Sequence, residues 1–264
     1  MPAFVRAFSS LGCPELGLDA ALHLAHAAGL PAVELRTLEG TTDLPALFQR
    51  QFGSPAALAA HVGGQPVRLV ALGTSLRLAD PQPGDWEAFL AFVPWAEALG
   101  VRWLRVFDGG APDGSDAPRL AIWRRWQELR AARDWRTDMM VETHDALFTA
   151  GAIAAFVAQA PGAALLWDSH HTWKRGGEDP VATWPAIKSS VVHIHVKDSV
   201  SRPSARHPFT YVLPGAGEFP MAPLRAALER EFSGTLSLEW ERQWHPYLPP
   251  LSAALEAAAA ARWW

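Results

Sequence analysis

The chain has 264 residues, of which 49% are hydrophobic and 19% are charged, and its formal net charge at pH 7 is −4. This length suits one large domain or two small ones. The net negative charge argues against an extended nucleic-acid surface, while leaving room for local basic patches. The single cysteine, Cys13, excludes an intrachain disulfide and favours a reducing compartment.

We expect neither a targeting segment nor a membrane anchor. The N-terminal MPAFVRAFSS lacks a charged stretch followed by a long apolar core, so we infer no signal peptide. No uncharged apolar stretch reaches about 18 residues, so we expect no transmembrane helix. Cys13 has no basic or histidine neighbour beside it, so we predict a packing residue and not a nucleophile. These features predict a cytoplasmic protein that binds neither membranes nor nucleic acid.

Short apolar runs alternate with helical patterns along the whole chain. Most of the runs are continuously apolar, which is typical of strands covered on both faces. Strict alternation predicts a parallel sheet, and eight repeats within about 250 residues favour an α/β fold, a (β/α)8 TIM barrel. We expect one domain over residues 1–264. The predicted strands are Phe4–Phe8, Ala32–Leu35, Val67–Leu72, Trp103–Phe107, Met139–Thr143, Ala164–Trp167, Val191–Val196 and Leu236–Trp240.

Helical patterns fill the intervals between these strands. Leu18–Ala28 ends at Gly29, and the sequence Phe52-Gly53-Ser54-Pro55 divides Pro45–Ala60 into two short helices. The other predicted helices are Asp85–Leu99, Asp116–Arg133, Asp145–Gln159, Pro180–Ile187, Pro220–Glu231 and Leu251–Arg262.

Three segments rich in Gly and Pro follow strand ends, and we expect them to be loops on the active face of the barrel. They are Asp108–Ser115, Lys174–Pro180 and Ser199–Glu218. For the longest, Ser199–Glu218, we consider two roles, a lid and an oligomer contact. The oligomers we consider are a homo-dimer and a homo-tetramer.

Four residues able to bind a metal close four successive apolar runs in the second half of the chain. They are Glu142 in VETHDAL, Asp168 in LLWDSHH, His195 in HIHVKDS and Glu239 in LSLEWER. Because parallel barrel strands end on one rim, we expect these side chains to converge. Three carboxylates and one imidazole favour Mn²⁺, with Mg²⁺, Co²⁺ or Zn²⁺ as alternatives. The pattern therefore predicts a site for one divalent cation.

A second interpretation of such acids is purely structural, since acidic residues often cap the helices that follow strands. Asp145 after VETH and Asp198 after HVK are candidates for this role. The joint placement of the four candidate ligands at successive strand ends favours the metal site. An octahedral ion with four protein ligands keeps two positions, which the adjacent oxygens of a hydroxy-ketone would fill.

Histidines beside the candidate ligands are predicted substrate contacts. His171 lies three residues after Asp168, and its neighbour His170 is an alternative for the same role. His144 lies two residues after Glu142 and faces the same way if the strand continues. His193 shares a face with the metal-site histidine, one layer deeper in the barrel, and we expect a core or supporting role for it.

Three cations near the predicted rim are further candidate substrate contacts. Lys197 lies two residues after His195, so it would face the same side of the strand, further towards the rim. There it would hold an anionic group or polarise a carbonyl, and the alternative is a solvated lysine. Arg36 ends VELR, and Arg105 lies within LRVFDGG. We expect Glu34 to pair with Arg36. The cations point to a carboxylate, phosphate or densely hydroxylated substrate, although arginines inside a barrel also serve structural roles.

The motifs VETHDAL, WDSHHTW, HIHVKDS, PGAGEFP and LSLEWER resemble the sugar phosphate isomerase/epimerase superfamily of xylose isomerase-like barrels, and the resemblance covers nearly the whole chain. That superfamily includes ketose 3-epimerases, hydroxypyruvate isomerase, inosose dehydratase and metal-dependent apurinic endonucleases. The resemblance implies that His171 contacts substrate. It implies the following metal ligands: Glu142, Asp168, His195 and Glu239.

The resemblance also implies that Glu142 and Glu239 act as the catalytic acid and base. Ketose 3-epimerases carry a substrate-binding arginine six residues after the metal histidine, where this chain has Ser201 followed by Arg202. This departure counts against simple ketose 3-epimerase activity.

We therefore expect a metal-dependent isomerase or epimerase of carbohydrate metabolism, acting on a ketose, keto-sugar or related polyol. Proton transfer would pass through an enediolate that the cation stabilises. The alternative is a lyase that dehydrates a keto-inositol or keto-sugar at the same site. An apurinic endonuclease would need more metal ligands and a basic face, and a sugar-binding barrel without chemistry would not need both Glu142 and Glu239.

Overall fold

The computed structural model describes residues 4–264, so the first three residues of the segment considered as a signal peptide lie outside the described residues. Eight parallel strands close into a barrel, and the predicted (β/α)8 TIM barrel is confirmed. The strands are β1 (Val5–Ser9), β2 (Ala32–Leu35), β3 (Arg68–Arg77), β4 (Trp103–Phe107), β5 (Asp138–Glu142), β6 (Ala164–Asp168), β7 (Val191–Val196) and β10 (Thr235–Leu238), with β8 (Asp198–Val200) and β9 (Thr210–Val212) forming a separate hairpin.

Helices cover the outside of the barrel. They are α1 (Leu18–Ala27), α2 (Leu44–Phe52), α3 (Pro55–Val62), α4 (Asp85–Leu99), α5 (Ala117–Arg133), α6 (Ala150–Gln159), α7 (Ser169–Lys174), α8 (Pro180–Ile187), α9 (Met221–Glu231) and α10 (Leu251–Ala260). The division of Pro45–Ala60 into two helices is confirmed, because Gly53 adopts a left-handed conformation at the end of α2 and Ser54 caps α3. No helix within residues 4–264 is long and apolar enough to cross a bilayer.

The helix after β5 begins later than predicted. Asp145 does not cap it; Thr149 does, and its hydroxyl accepts a hydrogen bond from the backbone N–H of Ala152 at 3.2 Å. The intervening residues form an irregular loop over the barrel mouth, because the Asp108 carboxylate binds their backbone. It accepts hydrogen bonds from the N–H groups of Asp145, Ala146 and Leu147. The structural interpretation of Asp145 as a helix cap is therefore wrong.

Side chains alternate between the lumen and the helices along each strand. Met140 and Leu166 belong to a buried apolar layer inside the barrel. Glu142 and Asp168 lie two residues further along the same strands, so they face the lumen one layer closer to the rim. Residues at the alternate strand positions, such as Val141, point outward and pack into the main core.

Strand register staggers these positions around the rim. Glu142 pairs with Leu166, two residues before the end of β6. Asp168 pairs with His195 on β7, and His195 pairs with Ser237 on β10. Polar side chains from four strands thus reach one level of the lumen.

The β8–β9 hairpin lies in the long segment after β7, where the sequence predicted a loop. Asp198 opens it, and its carboxylate accepts hydrogen bonds from the backbone N–H groups of Gly215 and Gly217 at 2.9 Å and of Phe219 at 3.0 Å. Asp198 therefore fastens the loop that returns from the hairpin. Its interpretation as a helix cap is wrong.

Candidate active site

Four side chains converge at the carboxyl end of the barrel. Glu142, Asp168, His195 and Glu239 are all buried, and each offers one donor atom within 4.8 Å of the donor atoms of the other three. Ligand bonds to a small divalent cation measure roughly 2.0–2.2 Å, so opposite donors around such an ion lie about 4–4.4 Å apart. The separations are compatible with one shared ion.

Several of these donor atoms have no hydrogen-bond partner in the described part of the chain. They include Oε2 of Glu142, Oδ2 of Asp168 and Nδ1 of His195. The His195 nitrogen lies 3.2 Å from Oε1 of Glu239 and 3.5 Å from Oε1 of Glu142, without forming a hydrogen bond. Lys197 lies 2.7 Å from Oδ2 of Asp168 and Arg105 lies 3.2 Å from Oε2 of Glu142, so two of these oxygens have a cationic neighbour. Three carboxylates and one imidazole that face one another are the donor set that a divalent cation prefers.

The orientation of the His195 ring is fixed from behind. Its Nε2 lies 2.8 Å from Oε2 of Glu34, which leaves Nδ1 facing the acidic cluster. The same Glu34 oxygen lies 3.0 Å from Nε2 of His193. A carboxylate on the second nitrogen of a metal-binding histidine sets the ring orientation and increases ligand basicity.

The predicted ion pair between Glu34 and Arg36 is wrong. The carboxylate lies in the lumen at the level of the two imidazoles, whereas the Arg36 guanidinium binds Gly73 and Ser75 nearer the rim. No local pattern in the sequence indicates that a carboxylate on β2 would meet a histidine on β7. Only closure of the barrel brings these strands face to face.

Electrostatics reinforce this arrangement. Burial raises the pKa of the Glu34 carboxyl, but His195 and His193 outweigh burial and hold that pKa well below its ordinary value. Burial lowers the pKa of the His195 imidazole, but the carboxylates of Glu239 and Glu34 outweigh burial and raise it well above its ordinary value. The surroundings of the His195 ring therefore favour a positive charge, as carried by a proton or a cation.

Lys197 is buried inside the site, so the alternative of a solvated lysine is wrong. Its Nζ lies 2.7 Å from Oδ2 of Asp168 and 2.6 Å from Oε1 of Glu241, and it also donates to Glu239. Burial lowers the pKa of this ammonium, but the three carboxylates outweigh burial and raise it. The side chain is a fixed cation at the edge of the acidic cluster.

Glu241 was missed by sequence reasoning. It lies two residues after Glu239, so in an extended chain both side chains point the same way. That spacing was the only indication in the sequence. Besides Lys197, its carboxylate accepts a hydrogen bond from the Tyr211 hydroxyl at 2.8 Å, which ties the hairpin to the site. Glu241 therefore holds together a strand end, a buried lysine and the hairpin.

The structure separates the two adjacent histidines. His171 lines the cavity above the cluster, with Nδ1 3.2 Å from Oδ2 of Asp168. His170 points away, with Nε2 2.8 Å from the Ser199 hydroxyl and its ring against Phe209. Of the two, only His171 is placed to meet a molecule in the cavity.

The remaining predicted contacts line the same cavity, which encloses about 320 Å³ including the open space at its mouth. The His144 ring packs edge-on against His171, and its Nδ1 lies 3.0 Å from Oδ1 of Asp145. Arg105 places Nε 3.2 Å from Oε2 of Glu142, and Arg36 lies beside it. By contrast, Ser201 is exposed between the two hairpin strands, and its backbone N–H donates a hydrogen bond to Glu218 after the hairpin. The cavity-lining residues are Leu11, Arg36, Arg105, Phe107, Glu142, His144, His171, Lys197, Glu239, Glu241 and Trp244.

A family model described as the xylose isomerase-like TIM barrel matches residues 22–264. The chain belongs to this family. The match confirms the resemblance inferred from the strand-end motifs. A comparison with curated protein sequences finds no match.

Several solved structures share this xylose isomerase-like barrel at low sequence identity. The probable 3-DHS dehydratase AsbF of Bacillus anthracis, involved in petrobactin synthesis, is 16% identical, with a TM-score of 0.76 over 97% of this chain and 99% of that one. The IolI protein with a bound zinc atom is 16% identical, with a TM-score of 0.74 over 99% and 96%. A D-tagatose 3-epimerase-like protein is 13% identical, with a TM-score of 0.68 over 99% and 96%. At these identities the likeness establishes the fold alone.

Proposed function

We propose that this xylose isomerase-like barrel is a metal-dependent isomerase or epimerase acting on a ketose, keto-sugar or related polyol. The observation that carries the proposal is the convergence of Glu142, Asp168, His195 and Glu239, whose donor atoms lie within 4.8 Å of one another. We propose these four as the ligands of one divalent cation. The zinc bound in the IolI structure supports a metal in this fold, and the mixed donors favour Mn²⁺, with Mg²⁺, Co²⁺ and Zn²⁺ as alternatives.

When bound, the cation would supply positive charge beside the carbonyl oxygen of the substrate, which makes the neighbouring C–H bond more acidic. Glu142 and Glu239 approach from strands separated by two others in the barrel. One carboxylate accepts the proton on one face of the substrate, and the other returns a proton on the opposite face.

The neighbours of Glu239 hold its carboxyl in the ionised form, which is the form able to accept a proton. Burial raises the pKa of this carboxyl, but His195 and Lys197 outweigh burial and hold it well below its ordinary value. The carboxylate is therefore ionised near neutral pH. We propose that His171, His144 and Lys197 position the hydroxyl and carbonyl oxygens of the substrate in the cavity.

Dehydration of a keto-sugar or keto-inositol is the second candidate function. The observation that favours it is the buried Lys197 ammonium beside Glu239, since a fixed positive charge stabilises the negative charge that develops on a departing hydroxyl. The similar structure described as a probable 3-DHS dehydratase supports the same class. A new ultraviolet absorbance from an enone product would distinguish dehydration from isomerisation.

We propose a small-molecule substrate in preference to nucleic acid, because the carboxylates of the candidate site are buried within the barrel lumen. The four-ligand cluster also provides for one ion only. A cytoplasmic location and a homo-dimeric or homo-tetrameric state stay predictions. Light scattering of the purified protein would decide the oligomeric state.

The test combines metal analysis with solvent deuterium exchange. The metal-loaded protein is incubated in deuterated water with a panel of ketoses, inososes and keto-acids, and deuterium at the carbon beside the carbonyl is followed by NMR. We expect exchange with at least one substrate, and loss of exchange after chelation and in Glu239→Gln. Glu256→Gln, which removes an exposed carboxylate on α10, is the control. Exchange that survives both chelation and Glu239→Gln would overturn the mechanism.

A further inference from the structure

Two guanidinium groups lie side by side over a glycine on the wall of the cavity. Arg36 follows β2, Arg105 lies on β4, and Gly73 lies on β3 between them. A Cβ at position 73 would be 2.8 Å from Cδ of Arg36 and 3.1 Å from Nη2 of Arg105. The absence of a side chain on this residue leaves room for both arginines. Phe107 lies beneath them, with its ring centre 4.0 Å from Cζ of Arg105 and 6.0 Å from that of Arg36.

The positive charges of this pair are poorly compensated by the protein. Arg105 meets one carboxylate, Glu142, which is itself a proposed metal ligand. Arg36 donates to the Gly73 carbonyl at 3.3 Å and to the Ser75 hydroxyl at 3.1 Å, and within residues 4–264 it forms no ion pair. Both partners of Arg36 are neutral, so its charge is not balanced by direct contact.

Burial makes this arrangement costly. The side chains of Arg36 and Arg105 are 6% and 2% exposed. Burial and the adjacent Arg105 charge lower the pKa of Arg36 to about 9, and together they outweigh the opposing effect of the Glu142, Glu239 and Glu34 carboxylates. Buried guanidiniums are normally paired with anions, because desolvation of an unpaired charge is unfavourable. Nε and Nη1 of Arg105 also form no hydrogen bond. These features indicate a negatively charged group that both arginines would contact.

We propose that Arg36 and Arg105 form an anion subsite, which binds a carboxylate or phosphate group on the substrate. The planar fork of a guanidinium matches either oxyanion with two hydrogen bonds. The arginine pair and the proposed metal ligands line one cavity, so we assign the anion to the substrate. This assignment rests on the proposed function. The substrate is therefore an acidic or phosphorylated hydroxy-ketone, and a neutral ketose lacks the group that the subsite recognises.

Direct binding tests this subsite without relying on turnover. Inorganic phosphate and glycolate are titrated by calorimetry into the metal-loaded protein and into the chelator-treated protein. We expect Arg36→Gln to weaken the preferred anion roughly ten- to hundred-fold in both states, in line with loss of charge-assisted hydrogen bonds. Arg124→Gln removes an exposed charge on α5 and should bind the anion like the unmodified protein. A preference for phosphate over glycolate, or the reverse, identifies the type of oxyanion.

Gly73→Ala is a second variant that keeps every charge. Its methyl group displaces the two guanidiniums, and we expect a loss of anion affinity while the melting curve stays cooperative. If Arg36→Gln or Gly73→Ala binds the preferred anion as tightly as the unmodified protein does, the subsite is overturned. It is also overturned if neither phosphate nor glycolate binds the unmodified protein. If exchange chemistry proves independent of metal while Arg36→Gln still loses the anion, the proposed function fails and the subsite stands.

Discussion

The mouth of this barrel has an acidic half and a basic half that are built differently. The acidic half, on β5, β6, β7 and β10, places its functional groups at strand ends in regular alternation with buried apolar residues. The basic half, on β2, β3 and β4, gathers two arginines around Gly73. One half is suited to hold a cation and the other to hold an anion. The comparison suggests that the substrate spans the two, with its reacting carbonyl on the acidic side.

Glu34 connects the halves. It belongs to β2 on the basic side, yet its carboxylate lies across the lumen against His195 and His193 on β7. The basic half therefore supplies the group that orients His195, a proposed ligand in the acidic half. Substitutions on each side, and of this link between them, test how independent the two halves are.

The largest effect is expected from Asp168→Asn in the acidic half. The substitution removes a carboxylate from the proposed ligand set, and we expect loss of bound metal with a fall in turnover of roughly a hundred-fold or more. Asp168 also caps α7 by accepting hydrogen bonds from the N–H groups of His170 and His171, both at 3.0 Å. An asparagine oxygen retains that capacity, so the fold should persist. Elemental analysis and deuterium exchange measure the two effects.

Asp43→Asn is the matched control for this experiment. Asp43 caps α2 on the outer surface by accepting a hydrogen bond from the N–H of Ala46. The same chemical change there should leave metal content and turnover unaltered. Full metal occupancy in Asp168→Asn would contradict its assignment as a ligand and leave the acidic half without its proposed role.

Glu34→Gln tests the link and should have the next largest effect. The carboxylate that orients His195 becomes a neutral amide, and we expect metal affinity to fall roughly ten- to hundred-fold. Competition with a chromogenic chelator measures that affinity. Phosphate binding by the arginine pair should change little in the same variant. Equal weakening of metal and anion binding would show that the two halves do not act separately.

The sequence anticipated the acidic half well because its pattern is local. The Asp168 and His195 side chains each lie at or beside the end of an apolar run, and parallel strands bring such ends together whatever the detailed packing. The β3 strand shows the reverse. It extends to Arg77, whereas the predicted strand stops at Leu72 because Gly73 breaks the apolar run. The glycine that misled the prediction is the residue that makes room for the arginines.

Other features depend on contacts between distant residues. The Glu34 interaction with β7 joins residues 161 positions apart, and no local pattern encodes it. The hairpin was missed because its strands are three residues each, too short for a recognisable alternation. Asp108 was missed as well, although its carboxylate shapes the loop that carries His144. Local patterns thus located the candidate ligands, whereas the groups that orient them required the closed barrel.

The smallest effect is expected where the hairpin meets the acidic half, in Glu241→Gln. Lys197 keeps contacts with Asp168 and Glu239 but loses one of its three carboxylates. We expect KM to rise roughly three- to ten-fold with a smaller change in kcat, because one charge-assisted hydrogen bond that holds Lys197 is weakened. Tyr211→Phe removes only the hydroxyl that donates to Glu241, so its effect should be smaller still.

Steady-state kinetics on both variants separates positioning from chemistry. If Glu241 acts by holding Lys197 against the substrate, KM should change in both variants, and metal content should stay full. A fall in kcat as large as that of Asp168→Asn, with KM unchanged, would instead place Glu241 among the groups that move protons. Tyr211→Phe leaves every charge of the acidic half in place and removes only the hydrogen bond from the hairpin to Glu241. A change in KM in this variant would therefore show that the hairpin acts on the substrate site through Glu241.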